Sequence, residues 1–166
     1  MQEDFNILKT MARRLVKEKF KHVWQFRLDI EDAPTDLDIY VKDVTYGPTE
    51  IENNPMKAGG RVLTFPSGAQ PVSLSMTVRD NEDERVSKWF DEWAAKVVME
   101  DGTFGLPYGA DGYVKKVRRY FADADGSEEE RDMWEMFPVQ RGDVTETREG
   151  SGNFLEFPIT FIQFRS

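Results

Sequence analysis

Two acidic runs hold the residues best suited to chemistry. Asp80-Asn81-Glu82-Asp83-Glu84 has the carboxylate density of a calcium loop. Such a loop needs glycine at its sixth position for a sharp turn, and Arg85 stands there. The run reads better as a helix start, with Asn81 as N-cap and Glu84 completing a capping box. Asp123-Ala124-Asp125-Gly126, followed by Glu128-Glu129-Glu130, lacks the third ligand before its glycine and the spaced glutamate. It reads as a solvated hairpin tip. No metal site is expected from either run. Paired carboxylates also serve glycoside hydrolysis. Among 31 acidic residues chance pairs are certain, and no spacing singles out two. Tyr113 to Tyr120 interleaves cations with aromatics, as single-strand nucleic-acid grooves do. The net charge of −9 and the lack of an aromatic-glycine signature favour a strand with one wet cationic face: Lys115, Lys116, Arg118 and Arg119.

What is missing narrows the chemistry further. There is no cysteine, so disulfides, thiolate nucleophiles and cysteine-ligated zinc are excluded. His22 is the single histidine, so one subunit cannot build a two-histidine metal site, nor a serine-histidine-aspartate triad away from residue 22. His22 itself reads as a linker residue. No apolar run approaches the length of a membrane span, and no signal peptide is expected. A soluble protein made in a cytoplasm is expected, with no cofactor; carboxylate chemistry, a binding module and a structural protein remain as function classes.

The elements that carry these residues follow from periodicity. With 166 residues and 13% aromatics, one domain plus an arm is expected. Residues 3–19 form an amphipathic helix, with Phe5, Leu8, Met11, Ala12, Leu15 and Val16 near helical spacing. Glu3 and Asp4 open it, and cations crowd its second half, both suited to the helix dipole. Residues 1–22 hold six cations (Lys9, Arg13, Arg14, Lys17, Lys19, Lys21) against three acids (Glu3, Asp4, Glu18), an excess of three. The remainder of the −9 chain therefore carries −12. The arm's apolar stripe is narrow and has no tryptophan, which favours docking on protein over lying on a membrane.

Residues 23–166 form the second unit. Period-two alternation predicts strands at Val23–Ile30, Ile39–Tyr46, Val72–Val78, Tyr113–Phe121, Met133–Gln140 and Phe154–Arg165. Between the second and third, Gly47 to Pro71 reads as a long loop, punctuated by glycine and proline, with a short strand inside it at Arg61–Phe65. Val86, Trp89, Phe90, Trp93, Ala94 and Val97 recur at helical spacing and define a core-facing helix ending near Met99. Strands around one helix predict a β-rich α+β fold rather than alternating βα units.

The order of these segments resembles a known family. Ile39-Tyr40-Val41-Lys42-Asp43-Val44 opens into the long loop, then come Phe65-Pro66 and Val72 to Asp80. The single helix follows with Trp89-Phe90 and Trp93, and the chain closes with Phe137-Pro138 and Phe154-Leu155-Glu156-Phe157-Pro158-Ile159-Thr160-Phe161. This resembles the tail tube proteins of contractile-tailed bacteriophages, which are related in fold to the tube protein of type VI secretion. The helical arm is a departure that looks like a baseplate-proximal member, a tube initiator or an adaptor ring.

The resemblance implies a small β-barrel or sandwich of about six or more mainly antiparallel strands, flanked by one helix. It implies a homo-oligomer: a hexameric ring that stacks into a hollow tube in the virion tail, against tube, sheath or baseplate proteins. DNA would pass without specific binding, which suits an acidic wall. Contact residues are then expected at Ile51, Met56 and Val62 in the long loop, bridging subunits and rings. Phe5, Leu8, Met11 and Leu15 would anchor the arm on another subunit. Val86, Trp89, Phe90, Trp93 and Val97 hold the core. Two rival functions remain: a carboxylate-dependent cell-wall glycan hydrolase of a phage tail, and a small monomeric binding module.

Overall fold

The structure, a computed structural model, describes residues 2–150 and 152–165. The side chains of Glu3 and Asp4, expected at the helix start, lie outside the described ones. The chain opens with helix α1 (Gln2–Lys17) and strand β1 (Phe26–Ile30), followed by a 3₁₀ turn (Leu37–Tyr40). Strands β2 (Val41–Gly47), β3 (Ile51–Ala58), β4 (Arg61–Ala69) and β5 (Ser73–Arg79) come next. Helix α2 (Arg85–Val97) then precedes β6 (Lys115–Ala122), β7 (Glu128–Arg141) and β8 (Glu156–Gln163). The fold is β-rich α+β, as the alternation predicts.

Six strands form one antiparallel sheet in the order β1-β6-β7-β8-β5-β2. The sheet curls on itself. Tyr46 on β2 lies 5.5 Å from the Trp134 ring on β7, and the Arg119 guanidinium on β6 lies 4.7 Å from the Tyr46 ring. Strands distant in the pairing order thus meet across the concave side, while β1 and β2 remain the unpaired edges of the sheet. The edge of β1 is blunted where the Leu28 N–H donates to Asp38 Oδ1 of the 3₁₀ turn (3.2 Å).

The core lies on that concave face. Leu74, Met76 and Val78 on β5 pair with Phe161, Ile159 and Phe157 on β8, and all six are buried. Leu28, Ile30, Val117, Trp134 and Met136 continue the layer. Helix α2 covers it through Val86, Trp89, Phe90 and Trp93, at the spacing expected of a core-facing helix. Trp93 stacks on Phe161 with centroids 5.0 Å apart, and its indole N–H donates to the Tyr113 carbonyl at 2.6 Å. Val97 is only half-buried.

The cap of α2 differs from the expected box. Glu84 adopts φ 53° and makes no side-chain cap. Asp80 does the capping instead: its carboxylate accepts from Val86 N–H (3.0 Å), Ser87 N–H (3.1 Å) and Ser87 Oγ (2.8 Å). Asn81 Oδ1 accepts from Arg85 N–H at 3.1 Å. An acid one turn upstream reaches the helix end because residues 81–84 form a turn rather than the first helical residues.

Other boundaries shift for local reasons. Trp24 stays exposed and β1 starts at Phe26, because Phe26 N–H closes a tight turn onto the Trp24 carbonyl. Ile39 falls in the 3₁₀ turn and is exposed rather than on a strand. Strand β7 runs unbroken through Pro138. That residue lies beyond the last β6 pair, Lys115 with Met136, and next to a register shift against β8. Proline is tolerated there because no second neighbour needs its missing N–H.

Candidate functional site

The segment expected as a long loop is a β-hairpin. β3 and β4 pair from Ile51–Ala69 to Ala58–Arg61 and form their own two-stranded sheet. Gly59 and Gly60 make the two-residue turn, and Gly59 has φ 64°, the positive angle such a turn requires at its first position. The glycines and prolines of this stretch thus mark a tight turn and strand ends rather than an irregular loop. Every residue of both strands is exposed. The hairpin therefore projects from the body and packs on nothing in the single chain.

Strand alternation sorts its apolar side chains. Met56 pairs with Leu63 on one face, and Phe65 lies two residues further along that face. Val62 pairs with Lys57 on the other face, with Ile51 on the same side. The expected contact residues Ile51, Met56 and Val62 are all exposed, at 64%, 58% and 60%, but they do not share one face. Leu63 and Phe65 complete the Met56 face.

Helix α1 is the second unpartnered element. Phe5, Leu8, Met11 and Leu15 are each 60% exposed or more. At 100° per residue they share one side with Ile7, Ala12 and Val16, so the apolar face spans about half the circumference. It is broader than the narrow stripe expected, because Ile7 extends it. Lys9, Arg13, Arg14 and Lys17 occupy the opposite half. The linker after the helix does touch the body: Lys21 Nζ sits 5.8 Å from the Phe121 ring, and His22 stacks beside Trp24.

A third surface was missed in the sequence. After α2 the chain folds back, with Val98 bridged to Phe104 and Met99 N–H bonded to the Thr103 carbonyl. A Cβ at Gly105 would run into the Lys96 carbonyl oxygen, so only glycine allows this close return. The resulting ledge exposes Val98, Met99, Phe104, Leu106 and Tyr108, with Phe104 at 78% and Leu106 at 75%. The available signal was two large apolar side chains inside a loop otherwise rich in Gly and Pro.

The strand expected to carry a cationic face has its cations on both faces. Lys115, Val117 and Arg119 point inward and are buried, because β6 alternates with a period of two. Lys115 pairs with Asp32 at 2.5 Å, and Arg119 binds Asp132 through Nε and Nη2. A nucleic-acid groove would need those charges free. Arg119 also borders an open cleft of about 620 Å³ between the two sheet edges, with Lys21, His22, Phe26, Lys42 and Tyr46.

Several acidic residues are occupied structurally. The Lys115 hydrogen bond lowers the Asp32 pKa. At Asp80 burial opposes ionisation, but the N–H and hydroxyl donors of α2 outweigh it and the pKa falls. Bonds from Thr103 and Ser127 lower Asp101 and Asp125, and Arg79 with Lys42 lowers Glu156. A glycosidase needs a carboxyl group whose pKa is raised; every carboxylate shift resolved among the described residues is downward. No group of three or more His, Asp or Glu among the described residues comes together in a way that could hold a metal ion. No helix of the described residues is long and apolar enough to cross a membrane.

No protein-family model matches this sequence, and no curated protein matches it. Solved structures do share the fold. A chain from the PVC sheath/tube terminator of an extracellular contractile injection system, in its extended state, superposes with TM-score 0.64 at 15% identity. That likeness covers 89% of this chain and 95% of the other. A chain of the sheath-tube complex from the same kind of system gives TM-score 0.63 at 14% identity, over 92% and 93%. A chain of the anti-feeding prophage tube-terminating cap gives 0.64 at 12%, over 89% of each. The chain therefore has the fold found in tube, terminator and cap assemblies of contractile injection systems.

Proposed function

We propose that this protein is a non-enzymatic structural subunit of a contractile tail or injection machine, forming a six-membered ring at or near the end of the tail tube. The observation that carries this reading is the contrast between a finished core and two unpartnered apolar elements. The body closes a buried core, while the β3–β4 hairpin and α1 leave every described apolar side chain exposed, on a fold shared with chains of terminator and cap assemblies. In a ring, the hairpin reaches adjacent subunits or the next ring, and α1 anchors on a neighbour. The arm favours an end ring, initiator or adaptor, over the repeating tube subunit. The −12 charge outside the arm suits a conduit wall, since DNA phosphates slide past carboxylates without sticking. The site of action is the virion or particle tail, with tube, sheath and baseplate proteins as neighbours.

The test is solution mass by sedimentation, followed by negative-stain imaging. Six-fold closed rings with a central hole, few of them stacked, are expected. Long tubes would move the assignment to the repeating subunit. A strict monomer across the concentration range, also in the presence of preformed tube, would overturn the proposal.

A further inference from the structure

We propose that the α1 arm of one copy docks on the Val98–Tyr108 ledge of a second copy. The inference rests on the ring-forming reading above and says where its arm contact falls. Both surfaces are unfilled within one chain, so neither covers the other in cis. Their chemistry is complementary. The arm offers a broad apolar face flanked by Lys9 and Arg14, with Arg13 and Lys17 behind. The ledge offers Phe104, Leu106, Val98 and Met99 among Glu100, Asp101 and Asp111. Asp101 is held ionised by Thr103, whose N–H and hydroxyl donate to Oδ1 at 3.0 and 2.6 Å.

Reach allows the contact. Helix α1 has 16 residues and is about 24 Å long. From Lys21 onward the chain is held at the body, so residues 18–20 form the free linker and can extend to about 10 Å. The contact is head to tail, arm on ledge, so each copy gives one surface and receives on the other. Such heterologous contacts build rings when the rotation closes. An anionic bilayer is a poorer occupant for the arm. The body tethered behind it carries −12 and would be repelled, and the helix has no tryptophan to seat at a lipid interface.

The absence of cysteine makes the test direct. Leu8→Cys and Phe104→Cys are introduced in separate full-length preparations, mixed at assembling concentration and oxidised. Mixed L8C–F104C dimers should outnumber same-site dimers by about tenfold. A statistical mixture of all three overturns the docking site. Charge reversal supplies an independent arm. Glu100→Lys with Asp101→Lys should weaken assembly about tenfold, the size of two good rim ion pairs, and Lys9→Glu with Arg14→Glu in the same chain should restore it. Two variants separate this proposal from the one beneath it. If removal of residues 1–19 abolishes assembly but Phe104→Asp with Leu106→Asp assembles like wild type, the arm docks elsewhere and only the ledge proposal fails. If the truncated protein assembles like wild type, the arm contact fails altogether. Flotation of the wild type with vesicles of one part phosphatidylglycerol to three parts phosphatidylcholine, lost in Arg13→Glu with Arg14→Glu, would overturn it in favour of a membrane.

Discussion

Replacing Met56, Leu63 and Phe65 together by serine separates folding from assembly. The three side chains lie on one face of the hairpin and are 58%, 46% and 47% exposed. Full burial of such a side chain is worth about 1.5–3 kcal/mol, so covering the exposed half of each contributes about 2–4 kcal/mol in total. If that face packs on a neighbour, the variant should assemble about 30- to 1,000-fold more weakly. Its thermal midpoint as a monomer should stay within a degree or two, because none of the three touches the buried core cluster. The assay is sedimentation across a concentration series, with calorimetry on the dilute protein. Unchanged assembly would refute the reasoning. So would a fall of several degrees in the midpoint, because the hairpin would then belong to the body. Val62→Ser, on the other face, tests whether one side or both are covered.

Two further outcomes probe the scaffold. Asp80→Ala removes the capping acceptor for Val86 and Ser87 and should cost about 1–2 kcal/mol, read by denaturant unfolding. Because the folded Asp80 pKa lies below its ordinary 3.8, its contribution is present above about pH 4 and is lost as pH falls through the folded value. The gap between wild type and the alanine variant should therefore close on acidification, and a gap that widens in acid would contradict the cap. Phe161→Ala empties the position that Trp89, Phe90 and Trp93 all face and should destabilise by about 3–5 kcal/mol. A smaller loss would show that α2 collapses into the space.

The body was legible because its signals are local and period-bound. Leu74, Met76 and Val78 alternate cleanly, and the tryptophans of α2 recur at helical spacing, so burial follows from position alone. The hairpin was hidden because its strands pack on nothing. With no face to bury, β3 and β4 show no alternation, and Pro55 and Pro66 read as breakers when they sit on free strand edges. The inward turn of Lys115 and Arg119 was readable from their parity with Val117, but their partners were not. Asp32 is 83 residues from Lys115, and only the sheet brings them together. The cap by Asp80 was hidden for a smaller reason: the turn at residues 81–84 displaces the helix start by one turn.

If the subunits form the proposed ring, the two exposed elements also bear on how assembly starts. The arm's Phe5, Leu8, Met11 and Leu15, each about three-fifths exposed, could contribute about 4–7 kcal/mol if covered. The five large apolar side chains of the hairpin would contribute about 4–8 kcal/mol by the same measure. Each sum is comparable with the 4–15 kcal/mol or so that association costs in lost translational and rotational freedom. One contact alone thus leaves the subunit largely free. Once a first contact is made, the second becomes intramolecular and no longer bears that cost. On the proposed contacts, a partial ring or a tube end that already presents a ledge and a hairpin site side by side would recruit the next copy far more strongly than a free monomer does. For the proposed ring, this arithmetic predicts that growth on an existing end is favoured over growth from free monomers.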